Sequence, residues 1–94
     1  MRIISGKYKA KKLKTLKTND TRPTSDKVRG SIFSMLGEID GAVLDLFGGT
    51  GSLSVEALSR GAESAMIIDG ADDAVRLIRE NTSFVEEELE IYRN

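Results

Sequence analysis

Two carboxylates and a glycine-rich turn are the groups in this 94-residue sequence whose types and spacing can do chemistry. The turn is Asp45-Leu46-Phe47-Gly48-Gly49-Thr50-Gly51, preceded by apolar Ala42-Val43-Leu44 and followed by Ser52-Leu53-Ser54-Val55-Glu56-Ala57-Leu58. A strand ending in an acid, a glycine-rich turn and a helix N-terminus together form a nucleotide-type crevice in an open α/β sheet. Gly49 and Gly51 can take positive φ and admit a ligand where a Cβ would block it. The helix opening at Ser52 adds unpaired N–H groups and a positive dipole end, which suit a carboxylate or phosphate. A tight strand-to-helix turn needs glycine for its geometry in any case, so the turn alone is weak evidence. The G-x-G-x-x-G dinucleotide spacing is not met and no Gly-Lys-Ser/Thr phosphate loop occurs.

The second carboxylate is Asp69, which closes the run Ala65-Met66-Ile67-Ile68 eighteen residues after Gly51. In a parallel sheet it stands beside the turn, where an acid can accept both hydroxyls of a ribose. Alone it could equally be a surface acid ending a strand or capping the next helix. With Asp45, Gly49 and Gly51 it points to a nucleoside, without saying which. The chain has no cysteine and no histidine, which removes disulfides, thiolate nucleophiles, imidazole bases and the usual zinc sites.

The elements that must position these groups follow from hydrophobic periodicity. From Gly41 onward the pattern is β-α-β-α-β. Strands are predicted over Ala42–Phe47, Ala65–Asp69 and Leu89–Asn94, with a helix over Ser52–Arg60 stopped by Gly61. The next helix carries Ala74, Val75, Leu77 and Ile78, runs through Asn81 and is capped by Asp72 or Asp73. Ahead of the core, Asn19-Asp20 reads as a turn and Arg22-Pro23 as an extended entry. Thr24 or Ser25 caps a helix over Ser25–Leu36, whose predicted inner face is Val28, Ile32, Phe33 and Leu36 and whose outer face is Asp26, Lys27 and Arg29. Gly30, in mid-helix, should weaken it by about 1 kcal/mol relative to alanine. Ninety-four residues make one small α/β unit.

A net charge of −1 conceals a division of charge. Residues 1–29 hold ten Lys/Arg against two acids, and residues 30–94 hold four Arg against thirteen acids. This describes a basic arm for a polyanion on an acidic body, or a lysine-protected edge strand. Residues 1–14 read as two strands around a Ser5-Gly6 turn, with lysines alternating from Lys7 to Lys11 so that one face is dense in charge. No stretch approaches the roughly 20 apolar residues of a membrane span, and no signal-peptide apolar region opens the chain. A soluble, cytoplasmic protein is expected.

Asp45-Leu-Phe-Gly-Gly-Thr-Gly51 resembles motif I of the class I S-adenosylmethionine-dependent methyltransferases. More narrowly, Met1-Arg-Ile-Ile-Ser-Gly-Lys-Tyr8, Thr21-Arg-Pro-Thr-Ser-Asp-Lys-Val-Arg29 and Glu56-Ala-Leu-Ser-Arg-Gly-Ala62 resemble the RsmD family, over residues 1 to about 82. That resemblance implies methylation of the exocyclic N2 of a guanine in 16S ribosomal RNA, within the small ribosomal subunit. It implies an incomplete Rossmann-like class I methyltransferase sheet, with its first three parallel strands and helices in residues 24–94. A basic arm or β-hairpin over 1–23 and a helix would precede it. Asp45, Phe47, Gly48, Gly49, Thr50, Gly51 and Asp69 would hold S-adenosyl-L-methionine. Lys7, Lys9, Lys11 and Lys12 would lie on rRNA phosphates, with Arg22, Thr24 and Arg29 at the mouth of the site. For these last three a helix cap with surface arginines explains the residues as well. No metal and no membrane are implied.

Gly48, Gly30 and Gly70-Ala71 depart from the family pattern, the last pair where a longer side chain often leans on adenine. The family's Asn/Asp-Pro-Pro-Tyr/Phe motif, which holds the target amine and stacks on the base, is absent: Pro23 is the only proline. The resemblance therefore predicts the N-terminal part of a longer, monomeric enzyme, inactive alone. In the expected strand order 3-2-1-4-5-7-6 the first strand would lack its fourth-strand neighbour and leave an association-prone edge. A non-catalytic RNA-binding remnant is the chief alternative. A dinucleotide oxidoreductase piece is disfavoured by the missing third glycine, and a DNA or small-molecule methyltransferase by the N-terminal blocks.

Overall fold

The alternating runs resolve into six elements in a computed structural model that describes residues 1–15, 26–37, 39–46 and 49–94. They are α1 (Asp26–Leu36), β1 (Ala42–Asp45), α2 (Ser52–Ser59), β2 (Ser64–Asp69), α3 (Asp72–Asn81) and β3 (Glu88–Arg93). The strands form a parallel sheet in the order β1-β2-β3, with Asp45 opposite Ile67 and Asp69 opposite Arg93. Parallel neighbours need crossovers long enough for a helix, and α2 and α3 fill the two connections. The expected turn at Asn19-Asp20, the Arg22-Pro23 entry and the Thr24/Ser25 cap lie outside the described residues, as do Phe47 and Gly48.

Helix α2 is the centre of the fold, with seven of its eight residues buried. Ala57 and Leu58 join Phe33, Ala62 and Ala65 in one apolar cluster, while Val55 joins Ile3, Tyr8 and Leu13 in another. The sheet thus covers one side of α2 and residues 1–14 cover the other. At the C-terminal end of α2, Gly61 adopts φ +121° as a Cβ there would lie 2.5 Å from the Ile39 carbonyl oxygen. This is the stop that the sequence predicts.

Three expectations need correction. The N-terminal strand pair is reduced to a single antiparallel bridge, Arg2 with Lys12, and residues 5–10 form turns instead of a pleated ladder. The cause is a docking contact: Lys7 N–H donates to the Ser59 carbonyl at 2.8 Å, and Gly6, at φ +91°, sits so close that a Cβ would fall 1.9 Å from that oxygen. Second, the inner face of α1 is Arg29 and Phe33, which are buried, whereas Val28, Ile32 and Leu36 are exposed. A four-residue spacing puts Arg29 and Phe33 on one stripe, and a buried acid on α2 makes that stripe the inner one. Third, Ala71 is the N-cap of α3 without a side-chain cap, and Asp72 and Asp73 lie in the first turn, where they favour the helix dipole.

Gly30 faces Ile4, whose nearest methyl is 3.8 Å from where a Cβ would stand, so the space is open. Gly30→Ala should therefore stabilise the chain by about 0.5–1 kcal/mol. A rise in the urea midpoint at unchanged slope would register it; a fall would mean that Ile4 cannot accommodate the methyl.

Candidate functional site

The glycine turn leaves the end of β1 and enters α2 with Gly49 at φ +57° and Gly51 at φ +82°. A side chain at Gly51 would meet Ile78 and Thr82 only at ordinary contact distances of 3.5–3.8 Å. Its glycine is demanded by backbone conformation, not by space. Gly51 N-caps α2 without a side-chain cap, and the Ser52 N–H donates to Thr50 Oγ1 at 3.3 Å. Asp69, two residues beyond the partner of Asp45, accepts the Gly49 N–H at 3.0 Å and the Ala71 N–H at 2.9 Å, one on each carboxylate oxygen. Asp45 accepts the Ser54 hydroxyl at 3.2 Å.

Two acids, a positive helix end and a turn without side chains therefore converge at the C-terminal edge of the sheet. An ionised carboxylate has about four acceptor directions, so groups of this kind can receive hydroxyl or ammonium donors. Asp69 also serves the other role that its position suggested, since it braces the start of α3.

Asn81, at the C-terminal end of α3, holds the turn from behind. Its buried side chain donates to the Thr50 carbonyl and to the Lys14 carbonyl, both at 2.9 Å, and accepts the Lys14 N–H at 2.8 Å. The Thr50 hydroxyl also reaches the Met1 sulfur at 3.6 Å. Both ends of the arm thus abut the turn.

A second cluster centres on Glu56, which is fully buried on α2. Its carboxylate accepts Ile4 N–H at 2.9 Å, Ser5 N–H at 3.2 Å, Arg29 Nε at 3.1 Å and Arg60 Nε at 2.9 Å. Desolvation pushes this carboxyl upward, but the Ile4 amide, the two guanidinium groups and the Ser5 amide outweigh it and hold it below the ordinary value of 4.5. Arg29 is fully buried and also donates from Nη2 to the Arg2 carbonyl. Its expected place at the mouth of the site, facing RNA, is corrected to a clamp that fastens α1 and the arm to α2. It is not a surface arginine either.

The remaining basic residues divide. Lys7 pairs with Glu86 at 2.9 Å and Glu87 at 3.2 Å, which raise its ammonium above the ordinary lysine range. Next to it, the buried Tyr8 hydroxyl donates to Glu87 at 2.5 Å and accepts the Glu86 N–H at 2.9 Å. Desolvation is the main reason that the Tyr8 hydroxyl is pushed up. Lys9, Lys11 and Lys12 are exposed, with Lys11 lying over the Phe84 ring at 5.2 Å. Arg22 lies outside the described residues. Of the expected RNA-facing set, Lys9, Lys11 and Lys12 are exposed in the arm, Lys7 joins the acidic run, and Arg29 is elsewhere.

Sequence reasoning missed Glu56 and Asn81. A signal existed for both. Glu56 stands four residues before Arg60 in a helix with no other charge, and Asn81 continues the apolar stripe of Ala74 and Ile78. No helix among the described residues is long and apolar enough to cross a membrane.

A groove of about 610 Å³ opens along β1, lined by Phe33, Leu36, Val43, Leu44, Leu46 and Leu53, with Asp45 and Ser54 at its polar end.

Comparison with known proteins gives a consistent result. The family model described as conserved hypothetical protein 95 matches residues 1–94. YlbH of Bacillus subtilis (strain 168) is 43% identical over 98 aligned residues, covering 100% of this chain and 53% of YlbH. Ribosomal RNA small subunit methyltransferase D of Escherichia coli (strain K12) is 41% identical over 71 residues, covering 73% of this chain and 36% of that protein. Among solved structures, yhhF of Escherichia coli superposes with a TM-score of 0.84 at 31% identity, covering 100% of this chain and 53% of its own. The matched segments span about half the length of YlbH and about a third of that of methyltransferase D.

Proposed function

This chain belongs to the RsmD family, described as conserved hypothetical protein 95, and on that premise we propose that it carries the cofactor half of an S-adenosylmethionine-dependent rRNA methyltransferase. The three-stranded parallel sheet with its helices is the class I methyltransferase fold. The observation that carries the reading is the convergence of Asp45, Asp69 and the Gly49–Gly51 turn at one end of two paired strands.

The donor set fits the ligand. Asp69 would accept ribose hydroxyls, Asp45 the α-ammonium, and the start of α2 would face the α-carboxylate, with Phe47, Gly48 and Thr50 completing the turn. When bound, S-adenosylmethionine supplies a methyl group on a positively charged sulfur, ready for transfer to a nucleophile. The chain's own contribution is to hold and orient. Gly49 and Gly51 let the backbone close on the ligand, and Asp69 keeps the turn in register with β2. The substrate is the N2 of a guanine in 16S rRNA, with Lys9, Lys11 and Lys12 on phosphates. Such contacts position RNA without reading its sequence and weaken with salt. No Asn/Asp-Pro-Pro occurs in the 94 residues, so no group here would hold the guanine amine, and methyl transfer by these residues alone is not expected. The compartment consistent with this role is the cytoplasm.

Titration calorimetry with S-adenosylhomocysteine tests the reading. The chain should bind it, and Asp69→Ala should weaken binding at least tenfold, because hydrogen bonds to a charged acceptor contribute about 1.5–3 kcal/mol each. Absence of heat with the unaltered chain, together with salt-sensitive RNA binding, would favour an RNA-binding role for the arm alone.

A further inference from the structure

The arm and the glycine turn share one buried side chain. Asn81 has two amide hydrogens and one acceptor oxygen committed at this place: one hydrogen to the Thr50 carbonyl, one to the Lys14 carbonyl, and the oxygen to the Lys14 N–H. The two-point contact with Lys14 mimics a backbone pair and fixes where the amide sits. The remaining hydrogen then fixes the Thr50 carbonyl, between two residues at positive φ. Besides Asn81, the turn is held by Asp69 on the Gly49 N–H, by the Thr50 hydroxyl, which accepts the Ser52 N–H and reaches the Met1 sulfur, and by the position of Gly51 near Ile78 and Thr82. The Asp69 contact restrains only the entry to the turn. The peptide plane leading out of Thr50 into α2 is set from the Asn81 side.

We propose that Asn81 is a positioning residue for the cofactor-binding turn, and that it acts against the arm, so that Met1–Lys14 form the outer support of the cofactor site. The proposal rests on the cofactor reading given above. It assigns the arm a second role beside its exposed lysines. Without Lys14 the amide of Asn81 can rotate, and without Asn81 the Thr50 carbonyl can turn away. In either case the Gly49–Gly51 backbone loses the shape that receives the ligand, although no ligand atom touches Asn81 or Lys14. Misplacement of a binding group by about 1 Å can cost around a hundredfold, so a loss of tenfold or more is expected.

Three forms of the chain test this: unaltered, Asn81→Ala and Lys14→Pro, the last removing the N–H that Asn81 accepts, together with the Lys14–Glu80 ion pair, and leaving the turn untouched in sequence. Each is studied well below its melting temperature by calorimetry with S-adenosylhomocysteine and by the amide chemical shifts of Gly49 and Gly51. Both variants should bind at least tenfold more weakly, with both glycine amides displaced in the ligand-free state. A folded Asn81→Ala chain that binds within twofold of the unaltered one, with its glycine shifts in place, would overturn the proposal. If Asn81→Ala does not fold, Lys14→Pro decides in the same way. If the unaltered chain binds no S-adenosylhomocysteine, the cofactor reading fails by itself, and the positioning role then stands or falls on whether the Gly49 and Gly51 amides move.

Discussion

Glu56→Ala should cost the fold about 3–5 kcal/mol, the usual penalty for removing one partner of a buried ion pair. The parent domain has only about 5–15 kcal/mol in total, so a urea midpoint, followed by circular dichroism, that falls by at least about a fifth is the expected result. The reason is the number of groups left behind. Arg29 is fully buried and would keep its charge without the Glu56 carboxylate that now neutralises it, and the Ile4 and Ser5 N–H groups would lose their acceptor. Arg60, with a side chain 13% exposed, would lose its α2 partner as well. The same carboxylate gives the fold a pH dependence. Its folded pKa lies below the ordinary 4.5, so the stability it contributes is complete above that value and is lost as pH falls through the lowered one. Urea midpoints should drop steeply on acidification of the parent and less steeply in Glu56→Gln. A Glu56→Ala chain that melts with the parent would show that the cluster is solvated and contributes little.

A second large effect concerns association. Among the described residues strand β1 pairs only with β2, and beside its open edge Leu44 and Leu46 are 61% and 54% exposed. Met35, Leu36 and Ile32 add apolar surface on α1, and the groove between the two elements is lined by Leu36, Leu44 and Leu46 among others. An unpaired parallel strand with bare leucines is a template for another chain. The chain alone should therefore self-associate reversibly, in proportion to concentration, in sedimentation equilibrium. Leu44→Lys combined with Leu46→Lys should weaken that association at least about a hundredfold, since each leucine withdrawn from the contact forgoes about 1.5–3 kcal/mol. A parent chain that sediments as a monomer at every concentration would refute the template reading.

The strands and helices were legible because their periods differ. Ala65-Met66-Ile67-Ile68 can only be a strand covered on both faces, and Gly61 can only end a helix where the chain turns under Ile39. The placement of Asp45 and Asp69 at neighbouring strand ends was legible for the same reason, since they end two such runs. Helix α1 was misread. Its apolar stripe of Val28, Ile32 and Leu36 is a good helical pattern, yet all three side chains are exposed, with Leu36 at the groove beside β1. A rule that puts apolar residues inside cannot foresee a buried arginine whose acceptor lies 27 residues away. The arm was misread by the same blindness to distant partners. Its alternating lysines suit a strand, but the chain turns at Gly6 because Ser59 is there to receive it.

Those separations have a consequence for how the molecule comes into being. Four of the contacts that dock the arm join residues 51 to 80 positions apart: Ser5 with Glu56, Tyr8 with Ser59, Lys14 with Asn81, Lys7 with Glu87. During synthesis the arm leaves the ribosome first and waits for almost all of its partners, while β1, α2 and β2 need reach across only short loops. Long closures are made late and slowly. The segment made first should thus be the last to dock, and the growing chain would carry its free lysines in solution until α3 and the acidic run after it have been made.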